Sequence, residues 1–237
     1  LDKSRDKLYA VWPELGLIGV ADGKNSKVLG TIDLTKYGFD KSKAANRGAG
    51  VVKLAVDDNS GKLYVHYEGK ILSFNGDTLQ KENEISTTAK SQGENMLVVN
   101  PGKKELYLGS TIFNLDTLKE SGSFSRGERV EGFNNNAVYL KEGIEAKGRT
   151  DLKIYEFVNG SVIKEWGVDN LGSIVNTFFD FKNNVFYVAD FLSGSVIVQD
   201  LTKGSAPSQP DATSQGNCED GVCDGPETNV NCPADCK

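Results

Sequence analysis

The sequence predicts an all-β fold: a β-propeller of about five visible four-stranded blades with incomplete ends, followed by a small disulfide-stapled C-terminal module. The first observation behind this is patterning. Up to Gly204 the chain alternates short apolar runs with turns of Gly, Asn, Asp and Lys, and no long stretch keeps a helical period. The second is a returning phrase, an acid or amide turn and then a strand with an aliphatic or aromatic residue just before tyrosine. It occurs as "DKLYAV", "GKLYVHY", "KELYLGS", "NAVYLKE" and "NVFYVAD", carrying Tyr9, Tyr64, Tyr107, Tyr139 and Tyr187. The intervals are 55, 43, 32 and 48 residues, and a period near 40 to 50 is about the length that four short strands and their turns occupy. The third is the cysteine distribution. Cys218, Cys223, Cys232 and Cys236 all lie after a polar stretch, so the β body stands without cross-links.

Taken in order, the second repeat divides into "VVKLAVD", "KLYVHYE", "KILSFNG" and "KENEIST". The third divides into "NMLVVNP", "KELYLGS", "TIFNLDT" and "KESGSFS", and the fourth into "VEGFNNN", "AVYLKEG", "LKIYEFV" and "SVIKEWG". The first repeat has only Leu1 and Asp2 where an inner strand belongs, and the fifth stops after "SVIVQDL" with no outer strand. Both gaps leave unpaired edges, which stable proteins cover. An outer strand followed by an inner strand is a consecutive piece of chain. Upstream residues of the same polypeptide would fill both gaps, or a neighbouring subunit would donate a strand and produce self-assembly through the open sheet edge.

The repeated phrase resembles the YVTN and NHL-like repeat propellers, in which a "D-x-x-x-x-x-LYV" strand recurs. The likeness spans residues 1–203 and implies the fold, while saying little about activity. After the β body, "KGSAPSQPDATSQG" lacks large apolar residues and reads as a linker over 204–216, leaving 217–237 as a separate module.

In that module the cysteine spacing is C-x4-C-x8-C-x3-C, set among carboxylates that oppose thiolate formation, so zinc fits poorly. Two disulfides suit a segment too short for a core, and the sequence leaves their pairing open. Asp220, Asp224 and Glu227 lie around a glycine turn, with Asp235 beside the last cysteine. Hard oxygen ligands of this kind, with a backbone oxygen such as that of Val222, point to calcium; the alternative is a solvated acidic tail. The segment also resembles short "C-G-D-G-x-C-x-x-x-E-x-x-x-x-C-P-x-D-C" modules at the ends of secreted and surface proteins, many of them archaeal. It matches in "DGVC", the glutamate and "NCPADC", and departs at Glu219, where glycine is usual. The resemblance implies an extracellular or cell-surface location and a calcium-binding knob.

Elsewhere little chemistry is legible. The net charge of −6 argues against a nucleic-acid partner, and no apolar run is long enough for a membrane span. "LDKSRDKLYAV" lacks the pattern of a signal peptide, so an exported form would be a processed chain. His66 is the only histidine and sits in a strand without a catalytic set around it. Two long connections, "TKYGFDKSKAANRGAG" and "KEGIEAKGRT", emerge on one face of a propeller. Tyr37, Phe39, Lys43 and Arg47 in the first, with Lys147 and Arg149 in the second, are candidates for a basic, aromatic-bearing surface that meets a glycan or protein partner; the alternative is a solvated loop surface. Asn159 in "NGS" is a glycosylation acceptor pattern. The function expected is an extracytoplasmic binding or assembly protein. The alternative is a propeller enzyme, quinoprotein-like or a calcium-dependent lactonase-like hydrolase. For the latter, Asn100, Asn176 and Asp180 are conceivable ligands that nothing in the sequence singles out.

Overall fold

The structure, a computed structural model, describes residues 1–44, 52–88, 97–127, 129–146, 149–171, 174–190 and 193–206. It is all-β: the described strands form five antiparallel sheets of three or four strands, each a meander of consecutive strands. The first sheet holds β1 (Lys7–Trp12), β2 (Leu17–Asp22) and β3 (Val28–Asp33). The second holds β4 (Lys53–Asp57), β5 (Lys62–Tyr67), β6 (Lys70–Asn75) and β7 (Lys81–Ser86). The third holds β8 (Leu97–Asn100), β9 (Glu105–Leu108), β10 (Thr111–Asn114) and β11 (Glu120–Ser123). The fourth holds β12 (Arg129–Phe133), β13 (Val138–Ala146), β14 (Arg149–Val158) and β15 (Ser161–Leu171). The fifth holds β16 (Ile174–Asp180), β17 (Val185–Asp190) and β18 (Ser195–Asp200).

The strand residues explain their places. A strand covered on both faces needs apolar side chains at every position. In β5, Leu63, Val65 and Tyr67 pack toward the first sheet while Tyr64 packs toward the third. The fourth strands of the second and third sheets are polar instead: β7 reads "KENEIS" and β11 "ESGS", which suits an outer edge in water. Four apolar clusters lie between successive sheets, the first at the first–second boundary and the last at the fourth–fifth. First strands meet across sheet boundaries, with β4 against β8 and β12 against β16, and β12 also touches β9.

Turn chemistry repeats with the sheets. Asp57, Asn100, Asn134 and Asp180 end first strands, and each side chain accepts backbone N–H bonds two or three residues ahead. Between third and fourth strands, Asn75 and Asn114 do the same, followed by Leu79 and Leu118 with φ of 58° and 55°. Asp2 belongs to the first set. Its backbone exchanges both hydrogen bonds with Lys7, at 2.8 and 3.0 Å. That pairing is equivalent to Asp57↔Lys62 and Asn100↔Glu105. The first sheet therefore follows the four-strand plan with its first strand present only as the last residue.

At the other end, the described residues add no strand outside β18. The chain instead turns through a 3-10 segment, Leu201–Lys203, and pairs Ser205 with Glu165 on β15 of the fourth sheet. Gly204 lies so close to the Trp166 ring that a Cβ there would come within 2.6 Å of it, while Trp166 Nε1 donates to the Asp200 carbonyl at 3.1 Å. The opening residues of the expected linker are thus held against the β body.

One expectation needs correction. "KEGIEAKGRT" is no long loop: β13 and β14 extend as a hairpin with Ala146 paired to Arg149, because alternating residues there continue the ladder from Val138↔Phe157. The other long connection holds a 3-10 turn, Leu34–Tyr37, capped by Asp33, and a single helical turn, Lys41–Ala44.

Candidate functional site

Three first-to-second-strand turns converge at one end of the second, third and fourth sheets. Between them is a hollow of about 510 Å3 lined by Asn59, Asn100, Pro101, Gly102, Lys103, Phe133, Asn134 and Asn135. Its walls are built by the Asx turns. Asn100 Oδ1 accepts from the Lys103 backbone at 3.3 Å, and its amide donates to Tyr107 Oη at 3.2 Å. Asn134 repeats this, accepting from Asn136 and Ala137 at 2.9 and 2.8 Å and donating to Tyr139 Oη at 3.4 Å. Those tyrosine hydroxyls also donate to Glu105 and Glu156, and burial first, then the carboxylates, raises both phenols far above their ordinary value. They stay neutral and act as struts.

With Asn100 and Asn134 committed to the turns, Asn59 and Asn135 stand exposed at the rim, and the Phe133 ring is half-buried between them. Lys103 lines the same hollow. Two smaller hollows adjoin. One of about 320 Å3 shares Asn59 and Pro101 and adds Ser60, Lys62 and Asp116. The other, of about 390 Å3, shares Lys103 and reaches Asn159 and Gly160. Amides, hydroxyls, a cation and an aromatic ring on a fixed concave surface suit a hydroxyl-rich ligand rather than an apolar one.

A second cluster lies at the far ends of the same first strands. Arg129 Nε donates to one oxygen of Glu131, Thr177 Oγ1 of β16 donates to the other, and Lys141 Nζ lies 4.0 Å from the first. Arg129, Lys141 and Thr177 are buried. The cluster ties the fourth sheet to the fifth. Sequence reading missed it, since its members are scattered from 129 to 177 and each looks like an ordinary strand residue. His66 was legible only as a lone histidine. It is 1% exposed, and neither ring nitrogen has a hydrogen-bond partner. Burial, then the nearby Lys53 charge, pulls its pKa from 6.5 down to about 4.

The expected partner loop is arranged differently from the sequence reading. Phe39 is turned inward, edge-on to Tyr67 at 5.3 Å, so it serves the core rather than a displayed surface. Tyr37 packs edge-on to Phe74 at 5.5 Å, takes Lys81 over its ring at 5.0 Å, and its carbonyl accepts from Tyr67 Oη at 2.9 Å. Both aromatics pin the connection onto the second sheet. Arg149 begins β14, and Lys43 lies in the helical turn. Arg47 and Lys147 fall outside the described residues, as do Asp220, Val222, Asp224, Glu227, Asp235 and the four cysteines. Asn159 is exposed in the β14–β15 turn, with φ of 51° followed by Gly160 at 81°, the geometry of a tight hairpin turn. Of the conceivable axial ligands, Asn100 sits in the hollow, while Asp180 is occupied by the Asn183 backbone and amide. Among the described residues no group of three or more His, Cys, Asp or Glu is placed to hold a metal, and no helix is long and apolar enough to cross a membrane.

No family model and no curated protein matches the chain. Among solved structures, hydrazine synthase of Kuenenia stuttgartiensis superposes on 77% of this chain with a TM-score of 0.58 at 11% identity. The match takes in 52% of that protein's chain, so this chain spans about half its length. At that identity the likeness is one of fold, an array of antiparallel sheets, and nothing of its chemistry transfers.

Proposed function

We propose that the chain is an extracytoplasmic binding and assembly module on a β-propeller of the YVTN/NHL-like kind, and that it holds an acidic oligosaccharide of a cell surface in the hollow between its turns. The observation that carries the binding half is that hollow: rim amides from Asn59 and Asn135, the Phe133 ring and the Lys103 ammonium, on three turns fixed by Asx hydrogen bonds. Hydroxyls pair with amides, a sugar ring lies on an aromatic face, and a uronate pairs with the lysine. Propeller geometry is supported by the five successive meanders and by first strands that meet across sheet boundaries. Calorimetry with neutral and uronate-bearing oligosaccharides is expected to show binding of the acidic ones. Lys103→Ala and Asn59→Ala should each weaken it by about tenfold, the size of a lost charged or multidentate hydrogen bond. No heat from either class at millimolar ligand, or variants that bind as well as the parent, would end the proposal.

The C-terminal module belongs to the same picture. We infer from the cysteine and acid spacing that this module carries two disulfides and calcium, as a surface location would favour. The native chain should be lighter by one hydrogen for each of its four cysteines when its mass is measured without reduction. Free thiols would remove the cross-links and weaken the argument for export.

A further inference from the structure

The four internal boundaries share one recipe. In each second strand, the residue before the tyrosine faces the preceding sheet and the tyrosine faces the following one. Tyr9 is clustered with Leu63, Tyr64 with Leu106, Tyr107 with Val138, and Tyr139 with Phe186. All eight are buried. Two members of the pattern are left over. Leu8, the residue before the first tyrosine, is 49% exposed, and Tyr187, the last tyrosine, is half-buried with the Phe178 ring beside it at 6.1 Å.

Each leftover sits in an apolar patch. On the back of the first sheet, Leu8, Ala21 and Val28 stand opposite one another across three strands, beside Trp12 and Leu17; Val28 is 70% exposed. On the front of the fifth sheet, Phe178, Tyr187 and Val198 stand opposite one another, beside Ala189 and Val196; Phe178 is 65% and Val196 63% exposed. Exposed apolar side chains gathered on one face of a sheet mark an interaction surface.

We propose that the front of the fifth sheet of one copy packs onto the back of the first sheet of a second copy, head to tail. This repeats between chains the boundary that occurs four times within the chain. The occupant follows from the pattern. The bare faces are the two different halves of one recipe, tyrosine-bearing and leucine-bearing, and a second copy supplies both, whereas front against front would set tyrosine against tyrosine. A heterologous contact of this kind closes into a ring or runs on as a filament. It deepens the assembly half of the function proposed above and is independent of the oligosaccharide half, because the hollow lies at the turn ends and the patches on the outer sheet faces.

The test uses the whole 237-residue chain. Sedimentation and light scattering at up to about 100 µM should show species larger than one chain, growing with concentration. Phe178→Glu, which spoils the front, and Val28→Glu, which spoils the back, should each be monomeric alone. An equimolar mixture should form a dimer and nothing larger, since it holds one intact front and one intact back. A parent chain that stays monomeric throughout, or Val28→Glu associating as well as the parent, overturns the proposal. Thermal melts of both variants guard against misfolding, and Val196→Lys with Leu8→Lys replaces any pair member that melts early. Oligosaccharide binding by the monomeric variants, unchanged from the parent, separates failure of this contact from failure of the hollow.

Discussion

Glu131→Ala is expected to destabilise the protein by about 3–5 kcal/mol, the usual cost of breaking a buried ion pair from one side. The carboxylate side chain is 3% exposed and lies between the Arg129 guanidinium and the Lys141 ammonium, while Thr177 donates to it across the boundary to the fifth sheet. Removing it takes away the carboxylate shared by Arg129 and Lys141, and the loss of the Thr177 bond loosens β16 from β12 at the same time. Urea unfolding at neutral pH should show a lower midpoint, and hydrogen exchange should quicken first in β16 and β17. Thr177→Val is expected to cost less, about 1.5–3 kcal/mol, that of one hydrogen bond to a charged group. A loss below that range for Glu131→Ala would mean that the cations relax to water and that the cluster does not clamp the sheets.

Acidification from pH 6.5 to 4 should remove about 3 kcal/mol of stability through His66 alone. In the unfolded chain its imidazole takes a proton near 6.5; in the folded protein it does so only near 4. Between those values the unfolded state binds more protons, so stability is full above 6.5 and falls as the pH drops toward 4. The cause is burial on the boundary face of β5 with no acceptor or donor for either ring nitrogen, beside the Lys53 charge. His66→Leu should flatten the pH dependence in this window. It should also raise stability at pH 7 by about 1–3 kcal/mol, because an unsatisfied buried polar group is replaced by an apolar one. Parallel stability curves for parent and variant between pH 4 and 7 would show that His66 finds a partner or water, against the structure.

Strands and turns were legible in the chain because their causes are local. "KLYVHY" is a strand buried on both faces because it is apolar or aromatic almost throughout, and Asp57, Asn100 and Asp180 mark turns because a short side-chain acceptor can bond amides two or three residues ahead. The same local grammar set Asp2 apart as the remnant of a first strand before Tyr9, and among the described residues the first and fifth sheets have three strands each. Tertiary structure alone decided the rest. Phe39 looked displayed in a basic loop and is buried on Tyr67, since a loop's own sequence does not say which sheet it lies against. The hollow formed at short turns rather than long loops because three turns, at Asn59, Asn100 and Asn134, meet only once the sheets are stacked. Glu131 became a clamp because the fifth sheet brings Thr177 to it. Local hydrogen bonding and side-chain period act within a few residues and can be read along the chain; contacts between sheets join residues far apart in sequence, such as Tyr64 with Leu106, and exist only after the sheets have packed.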